Sequence, residues 1–373
     1  MSLVGNRVVR TAASAFRLAL ATGLLLGVSG FPSNGGQSDM DPAQRDGGLR
    51  GTIFLRFMNA PGAHQPLAKV PKLLVSFGDE AHEAVMDTGS TGVLVAATMI
   101  PHWDTLPSLG DARLTYSSSG RVMEGRWVVT PVSIAGANGN TMTTRPMPVM
   151  AVTRISCLSN ARNCEPEEMP RRVAMLGIGF ARQGDHQAQS TPDRNPFLQM
   201  PATVASKVRR GYVVSRDGVR IGLRPDAIEE GFFAVSLSRS QQFDDWAPPP
   251  ACISVANHVP PACGTMLMDT GVDRAFLTVP LAQLDGVTSH AEKGEPQLLP
   301  GTRIAVQLSR SGSSPWGYSF AADDAGDPVA PRGVTLVRPG QGPTFINTSF
   351  HFLNGFDYLY DAERGIVGYR ARP

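Results

Sequence analysis

The sequence predicts a mostly β protein built as two similar halves. Three observations carry this. The chain holds 39 Gly and 30 Pro in 373 residues, so turns must be frequent. Its apolar runs are short, rich in β-branched and aromatic residues, and bounded by Gly, Pro, Asn or Asp. The tripeptide Asp-Thr-Gly occurs twice, at Asp87 and Asp269, each time after three apolar residues. With 42% apolar and only 18% charged residues the chain is not intrinsically disordered. A formal charge of +2 offers no excess that would call for nucleic acid or an anionic membrane surface.

The first 30 residues read as a secretory signal peptide. Arg7, Arg10 and Arg17 make the start basic, and no acidic residue precedes Asp39. Leu18 to Val28 is a short apolar stretch, and Val28-Ser29-Gly30 offers small residues for cleavage. The stretch is too short to cross a bilayer as a helix, and no other long apolar run follows, so no stable membrane insertion is expected. Residues 31–48, rich in Gly, Ser, Asp and Pro, read as a flexible tether. An exported protein, periplasmic or extracellular, follows as the expectation.

The cysteines fit an oxidising compartment. Cys157 and Cys164, and Cys252 and Cys263, are close enough in sequence for two local disulfides. Zinc is the competitor, but no Cys-x-x-Cys or spaced His pair accompanies them. Short loops gain little from cross-linking, so these bridges are expected to shape loops rather than hold the fold.

From Leu49 onward, strands are expected at Ile53-Phe54-Leu55, Leu73-Leu74-Val75, Trp127-Val128-Val129 and Tyr212-Val213-Val214. Helical periodicity is weak, with Phe197 to Arg209 and Thr348 to Phe352 as the best short candidates. The repeat is the main signal. From 21 Asp, 23 Thr and 39 Gly, chance gives about 0.14 copies of Asp-Thr-Gly per shuffled chain, so two copies are a roughly one-in-a-hundred event. Apolar runs also follow both copies, at Val93-Leu94-Val95 and Ala275-Phe276-Leu277. Each Asp should therefore sit at a strand end entering a tight turn. A second echo comes later in each half, at Ala174-Met175-Leu176-Gly177-Ile178-Gly179 and at Phe345-Ile346-Asn347. A duplicated β lobe explains the spacing. The expected boundaries are 49–205 for an N-terminal lobe with the first motif and 206–373 for a C-terminal lobe with the second.

These residues resemble the pepsin-like, bilobal aspartic proteases, and a bacterial exported member in particular. Val85-Met86-Asp87-Thr88-Gly89-Ser90-Thr91 resembles the first active-site loop, and Met268-Asp269-Thr270-Gly271 the second. Leu114-Thr115-Tyr116-Ser117-Ser118-Ser119-Gly120 resembles the flap hairpin, with Tyr116 as flap tyrosine and Ser117 and Ser118 beside the substrate. Leu176-Gly177-Ile178-Gly179-Phe180 resembles the segment bracing the first Asp. Asn195-Pro196-Phe197 with Gly211 to Ser215 resembles the crossing into the second lobe, and Phe345 to Phe350, Tyr358 to Asp361 and Gly365 to Tyr369 the closing strands. The resemblance implies two β-barrel-like lobes related by pseudo-two-fold symmetry, with the cleft between them. It also implies an aspartic endopeptidase with no cofactor and no metal. Such an enzyme would be a monomer taking a peptide or unfolded protein in extended conformation.

Two facing carboxyls supply the chemistry of peptide hydrolysis. At close range both cannot ionise, so one accepts a proton from water while the other donates to the scissile carbonyl. Asp87 and Asp269 are expected to be that pair. Thr88 and Thr270 are expected to lock the loops through hydroxyl-to-backbone bonds, with Gly89 and Gly271 completing the turns. Ser90 is expected to hydrogen-bond Asp87. Three departures from the family pattern stand out. Leu94 occupies the position of a Trp that bonds the flap tyrosine, leaving Trp127 as a substitute. Val272 stands where Ser or Thr would donate to Asp269. Residues 31–48 do not resemble a basic pro-segment. Without a donor at 272, Asp269 should bind its proton more tightly, and the acid limb of activity should move to milder pH.

The bland readings are a turn role for each Asp, plain packing for Tyr116, a solvated turn for Asp323, Asp324 and Asp327 rather than calcium, and a solvated edge for Lys207, Arg209 and Arg210. Asn347-Thr348-Ser349 matches a glycan acceptor but should be buried. A non-proteolytic peptide-binding protein on the same scaffold is the alternative function.

Overall fold

A computed structural model describes residues 51–159, 161, 164–290, 296–308 and 316–372. The expected signal peptide at 1–30 and tether at 31–48 lie outside the described residues. Within the described chain, strand follows strand, with short 3-10 turns and a four-residue α-helix, Ala202–Ala205. The alternating residues of Lys72–Ser76 bury Leu73 and Val75 on one face, and Arg303–Leu308 does the same with Ile304, Val306 and Leu308. That period of two is what makes them half-buried strands. Thr91–Ala96 is buried at every position because strands flank it on both sides.

Three large sheets result. A ten-stranded sheet takes its strands from residues 72–178, and a seven-stranded sheet from residues 250–347. A six-stranded sheet joins Ile53–Arg56 to five strands from residues 209–371, with Ile53 opposite Ile221. One apolar cluster runs through all three, including Met86, Ile178, Tyr212, Met268, Ile346 and Tyr360.

The structure corrects several expectations. Phe197 to Arg209 is not one helix. Pro196 opens a 3-10 turn, Pro201 precedes the short α-helix, none of whose residues is buried, and a strand begins at Arg209. Without an apolar face there is nothing to hold a longer helix. The second candidate is a 3-10 turn at Phe350–Asn354. The basic run is not a solvated edge throughout, since Arg209 Nε lies 2.9 Å from Oδ2 of the fully buried Asp361. Strand pairing of Gly211 with Asp361 brings that carboxylate across from 152 residues away.

Both disulfides form as the spacing suggested. Cys157–Cys164 forms at the end of the long strand Met147–Cys157. Cys252–Cys263 does more than shape a loop, because the two cysteines face each other across paired strands, Pro250–Val255 and Ala262–Leu267. The second of these strands leads directly into Asp269. No helix among the described residues is long and apolar enough to cross a membrane.

Candidate functional site

Each Asp-Thr-Gly sits in the same local arrangement. Ala81–Asp87 ends at the first Asp, the chain turns through Thr88-Gly89-Ser90, and Thr91–Ala96 leads away. Ala174–Ile178 lies between them, parallel to the incoming strand (Gly177 opposite Asp87) and antiparallel to the outgoing one (Gly177 opposite Gly92). In the second half Ala262–Leu267 runs in and Ala275–Thr278 runs out. Phe345–Asn347 lies between, parallel to the first and antiparallel to the second. The two later echoes in the sequence are thus the middle strands of these two units.

The loops meet. Thr88 Oγ1 accepts from Thr270 N and Thr270 Oγ1 accepts from Thr88 N, both at 3.0 Å. Thr88 Oγ1 donates to Met268 O at 2.6 Å, and Thr270 Oγ1 to Met86 O at 2.7 Å. Both residues are buried, and between them their hydroxyls engage two backbone N–H and two C=O groups. A Cβ on Gly89 would lie 2.3 Å from Asp269 Cγ, and one on Gly271 2.5 Å from Asp87 Oδ1. Each carboxyl therefore rests against the glycine of the opposite loop, where any side chain would collide.

Asp87 and Asp269 are 3% and 6% exposed. Asp87 Oδ1 accepts from Gly89 N at 2.6 Å, and Asp87 Oδ2 from Ser90 Oγ at 2.5 Å. Asp269 Oδ1 accepts from Gly271 N at 2.8 Å. Its other oxygen accepts from Asn347 Nδ2. Each carboxyl thus packs on the loop that carries the other. Burial, then the charge of Asp87, pushes Asp269 up to about 8, against the pull of the Asn347 and Gly271 donors. The expectation that Asp269 lacks a side-chain donor is thereby corrected: Val272 has none, but the donor comes from another strand.

The hairpin expected to act as a flap pairs Ser108–Tyr116 with Arg121–Thr130. Tyr116 Oη is buried near Ser90 and both carboxyls but makes no hydrogen bond of good geometry among the described residues. Burial and the charge of Asp87 raise its affinity for its proton. Trp127 does not take the place of the missing tyrosine partner. Its Nε1 donates to Gln189 Oε1 at 2.9 Å, and Arg194 stacks on its ring at 3.8 Å. Trp127 and Leu94 instead sit in one apolar cluster, each paired opposite Met150. Ser118 is half-buried in the flap turn. Ser117 Oγ donates to Asp185 Oδ2 at 3.1 Å, Asp185 pairs with Arg182, and Arg182 Nε donates to Gly89 O at 2.8 Å. The flap turn is thus linked to the first Asp loop through two side chains.

Sequence reasoning missed Asn347, Arg182, Asp185 and Gln189. Asn347 belongs to the later echo of the second half and to a glycan-acceptor triplet, neither of which signals a bond to Asp269. It is 5% exposed, and its amide is engaged on Asp269. The others lie on a stretch, residues 181–194, whose sequence carries no motif. Asp324 and Asp327 accept from Gly326 N and Val329 N, which is turn chemistry. No group of three or more His, Cys, Asp or Glu among the described residues could hold a metal ion. Comparison with protein-family models and with curated proteins gives no match for this chain.

Proposed function

We propose that this chain is an aspartic endopeptidase that hydrolyses peptide bonds with a water activated between Asp87 and Asp269. The observation that carries the reading is the pair of buried carboxyls, one from each Asp-Thr-Gly loop, held against each other by the reciprocal Thr88 and Thr270 bonds. Asp269, whose proton affinity is raised by burial and by the charge of Asp87, takes the role of the acid and donates to the scissile carbonyl oxygen. Asp87 acts as the anion, with Gly89 N and Ser90 Oγ donating to it, and takes a proton from the water. The tetrahedral intermediate then collapses: Asp87 passes the proton it took from water to the leaving nitrogen, the C–N bond breaks, and a diol hydroxyl returns its proton to Asp269. The fold reading that goes with this is two β lobes related by pseudo-two-fold symmetry with an extended cleft between them. An extended peptide or unfolded protein segment would lie in that cleft under the flap. Export by the leader, action in the periplasm or outside the cell, and a monomeric state belong to the same proposal.

The test is cleavage of an unfolded protein by the purified chain between pH 3 and 9, beside Asp87→Asn and Asp269→Asn. Each variant is expected to lose at least about a thousandfold in rate, since neither carboxyl does the other's work. Substantial cleavage by either variant overturns the dyad. Binding of extended peptides by the wild type without cleavage would favour the binding-protein alternative.

A further inference from the structure

The two carboxyls receive their side-chain hydrogen bonds from different places. Ser90, three residues after Asp87, donates to Asp87 Oδ2. The residue three after Asp269 is Val272, which has no donor. Strand register identifies what replaces it. Asn347 lies opposite Leu267 and Phe276, which are two before and seven after Asp269. The position with the same neighbours in the first unit is Met175, opposite Val85 and Leu94. One unit therefore combines a hydroxyl in the loop with an apolar middle-strand residue. The other combines an apolar loop residue with an amide on the middle strand.

We propose that Asn347 is a positioning residue for Asp269, supplying from the middle strand the hydrogen bond that Ser90 supplies to Asp87. The inference rests on the reading of Asp87 and Asp269 as the working pair. The amide has one sensible orientation. Its Oδ1 accepts from Ser349 N at 3.1 Å, which leaves Nδ2 facing Asp269 Oδ2. The backbone holds the arrangement in place: Thr348 N donates to Leu267 O and Phe350 N to Val272 O, each at 3.0 Å. The segment carrying Asn347 is thus bonded both to the strand before Asp269 and to the loop after it. The titratable groups facing Asp269 are Asp87 from the opposite loop and the Tyr116 hydroxyl from the flap.

An amide donor favours the charged carboxylate, so its removal favours the protonated one. Burial and the charge of Asp87 already raise the proton affinity of Asp269, so loss of the donor raises the upper titration of the pair further. Losing the donor should raise the upper titration of the pair by about one unit and lower kcat more than it changes KM.

The test is a carboxyl-carbon NMR titration of the aspartate-labelled protein, with Asp269 assigned by comparison with Asp269→Asn. Wild type, Asn347→Leu, and Asn347→Leu combined with Val272→Thr are titrated side by side. Asn347→Leu should raise the Asp269 midpoint by about one unit, and Val272→Thr should bring it back by restoring a donor. Asn347→Ala, which likewise removes the donor, serves where the leucine variant does not fold. An unshifted midpoint in a folded Asn347 variant, or a shift that Val272→Thr does not reverse, overturns the proposal. The titration needs no turnover, so it judges Asn347 even if the dyad variants show that the peptidase reading is wrong.

Discussion

At the scale of single residues, the closest approaches in the site fall on Gly89 and Gly271. Two carboxyls can share a proton only if nothing stands between them, and each is pressed against the opposite loop's glycine. A methyl at Gly89 would overlap Asp269 Cγ, at 2.3 Å, and the obstacle is a buried carboxyl rather than the end of a flexible side chain. On the proposed peptidase reading, Gly89→Ala is expected to keep the circular dichroism of the wild type while cleavage falls by at least about a hundredfold, because a displacement near 1 Å costs about that much. Cleavage at the wild-type rate would show that the close approach is not needed. The importance of this tripeptide was legible from its duplication. What its middle threonine does was a matter of inference until each hydroxyl was seen bonding the other loop's backbone.

At the scale of elements, the flap is tied down by a stretch that carries no sequence signal. Gln189 Oε1 accepts from both Trp127 Nε1 and Arg113 N, each at 2.9 Å, fixing residues 181–194 along the flap base. At the turn, Ser117 reaches Asp185, and Asp185 pairs with Arg182, whose side chain is 7% exposed. Removing the carboxylate leaves that guanidinium with Gly89 O as its remaining hydrogen-bond acceptor. Asp185→Ala should therefore destabilise the protein by about 1–2 kcal/mol, a moderate cost because Asp185 itself is partly solvated. It should also speed amide hydrogen exchange at residues 117–121. Unchanged exchange there would show that the flap turn is not held through this pair. The hairpin itself was readable from Leu114 to Gly120. Its anchor was not, because Asp185 lies 68 residues beyond Ser117.

For the whole molecule, the buried proton links stability to pH. An unfolded aspartate loses its proton near pH 4, whereas folded Asp269 holds it to about 8. Between those values the folded state binds more protons than the unfolded state. Stability from this group is therefore full at the acid end and declines as pH rises, by at most about 1.4 kcal/mol per unit. Asp245, raised chiefly by burial, has the same sign. His351, lowered chiefly by burial, has the opposite sign, with stability lost as pH falls below its ordinary range near 6.5. Comparison with Asp269→Asn isolates the first effect. The variant is expected to gain on the wild type in urea-unfolding midpoint steadily from pH 4 to pH 8. A difference that does not change with pH would mean that Asp269 is not held protonated in the fold.

The sequence by itself determined what is local and periodic. Alternating apolar residues and frequent turn formers made the strands at Ile53, Leu73, Trp127 and Tyr212 readable, and short spacing made both cysteine pairs readable. The duplicated Asp-Thr-Gly pointed to Asp87 and Asp269 because chance rarely repeats such a motif after matched apolar runs. The tertiary structure alone decided which groups meet those carboxyls. Asn347 reaches Asp269 across 78 residues, Arg182 reaches Gly89 across 93, and Asp361 meets Arg209 across 152. None of these pairings leaves a pattern in one sequence. A hydrogen bond between distant residues needs only one donor and one acceptor, and strand register, set by the burial of many apolar side chains together, brings them face to face. The same register explains why Val272 alone was misleading: the donor missing from the loop is found on the adjacent strand.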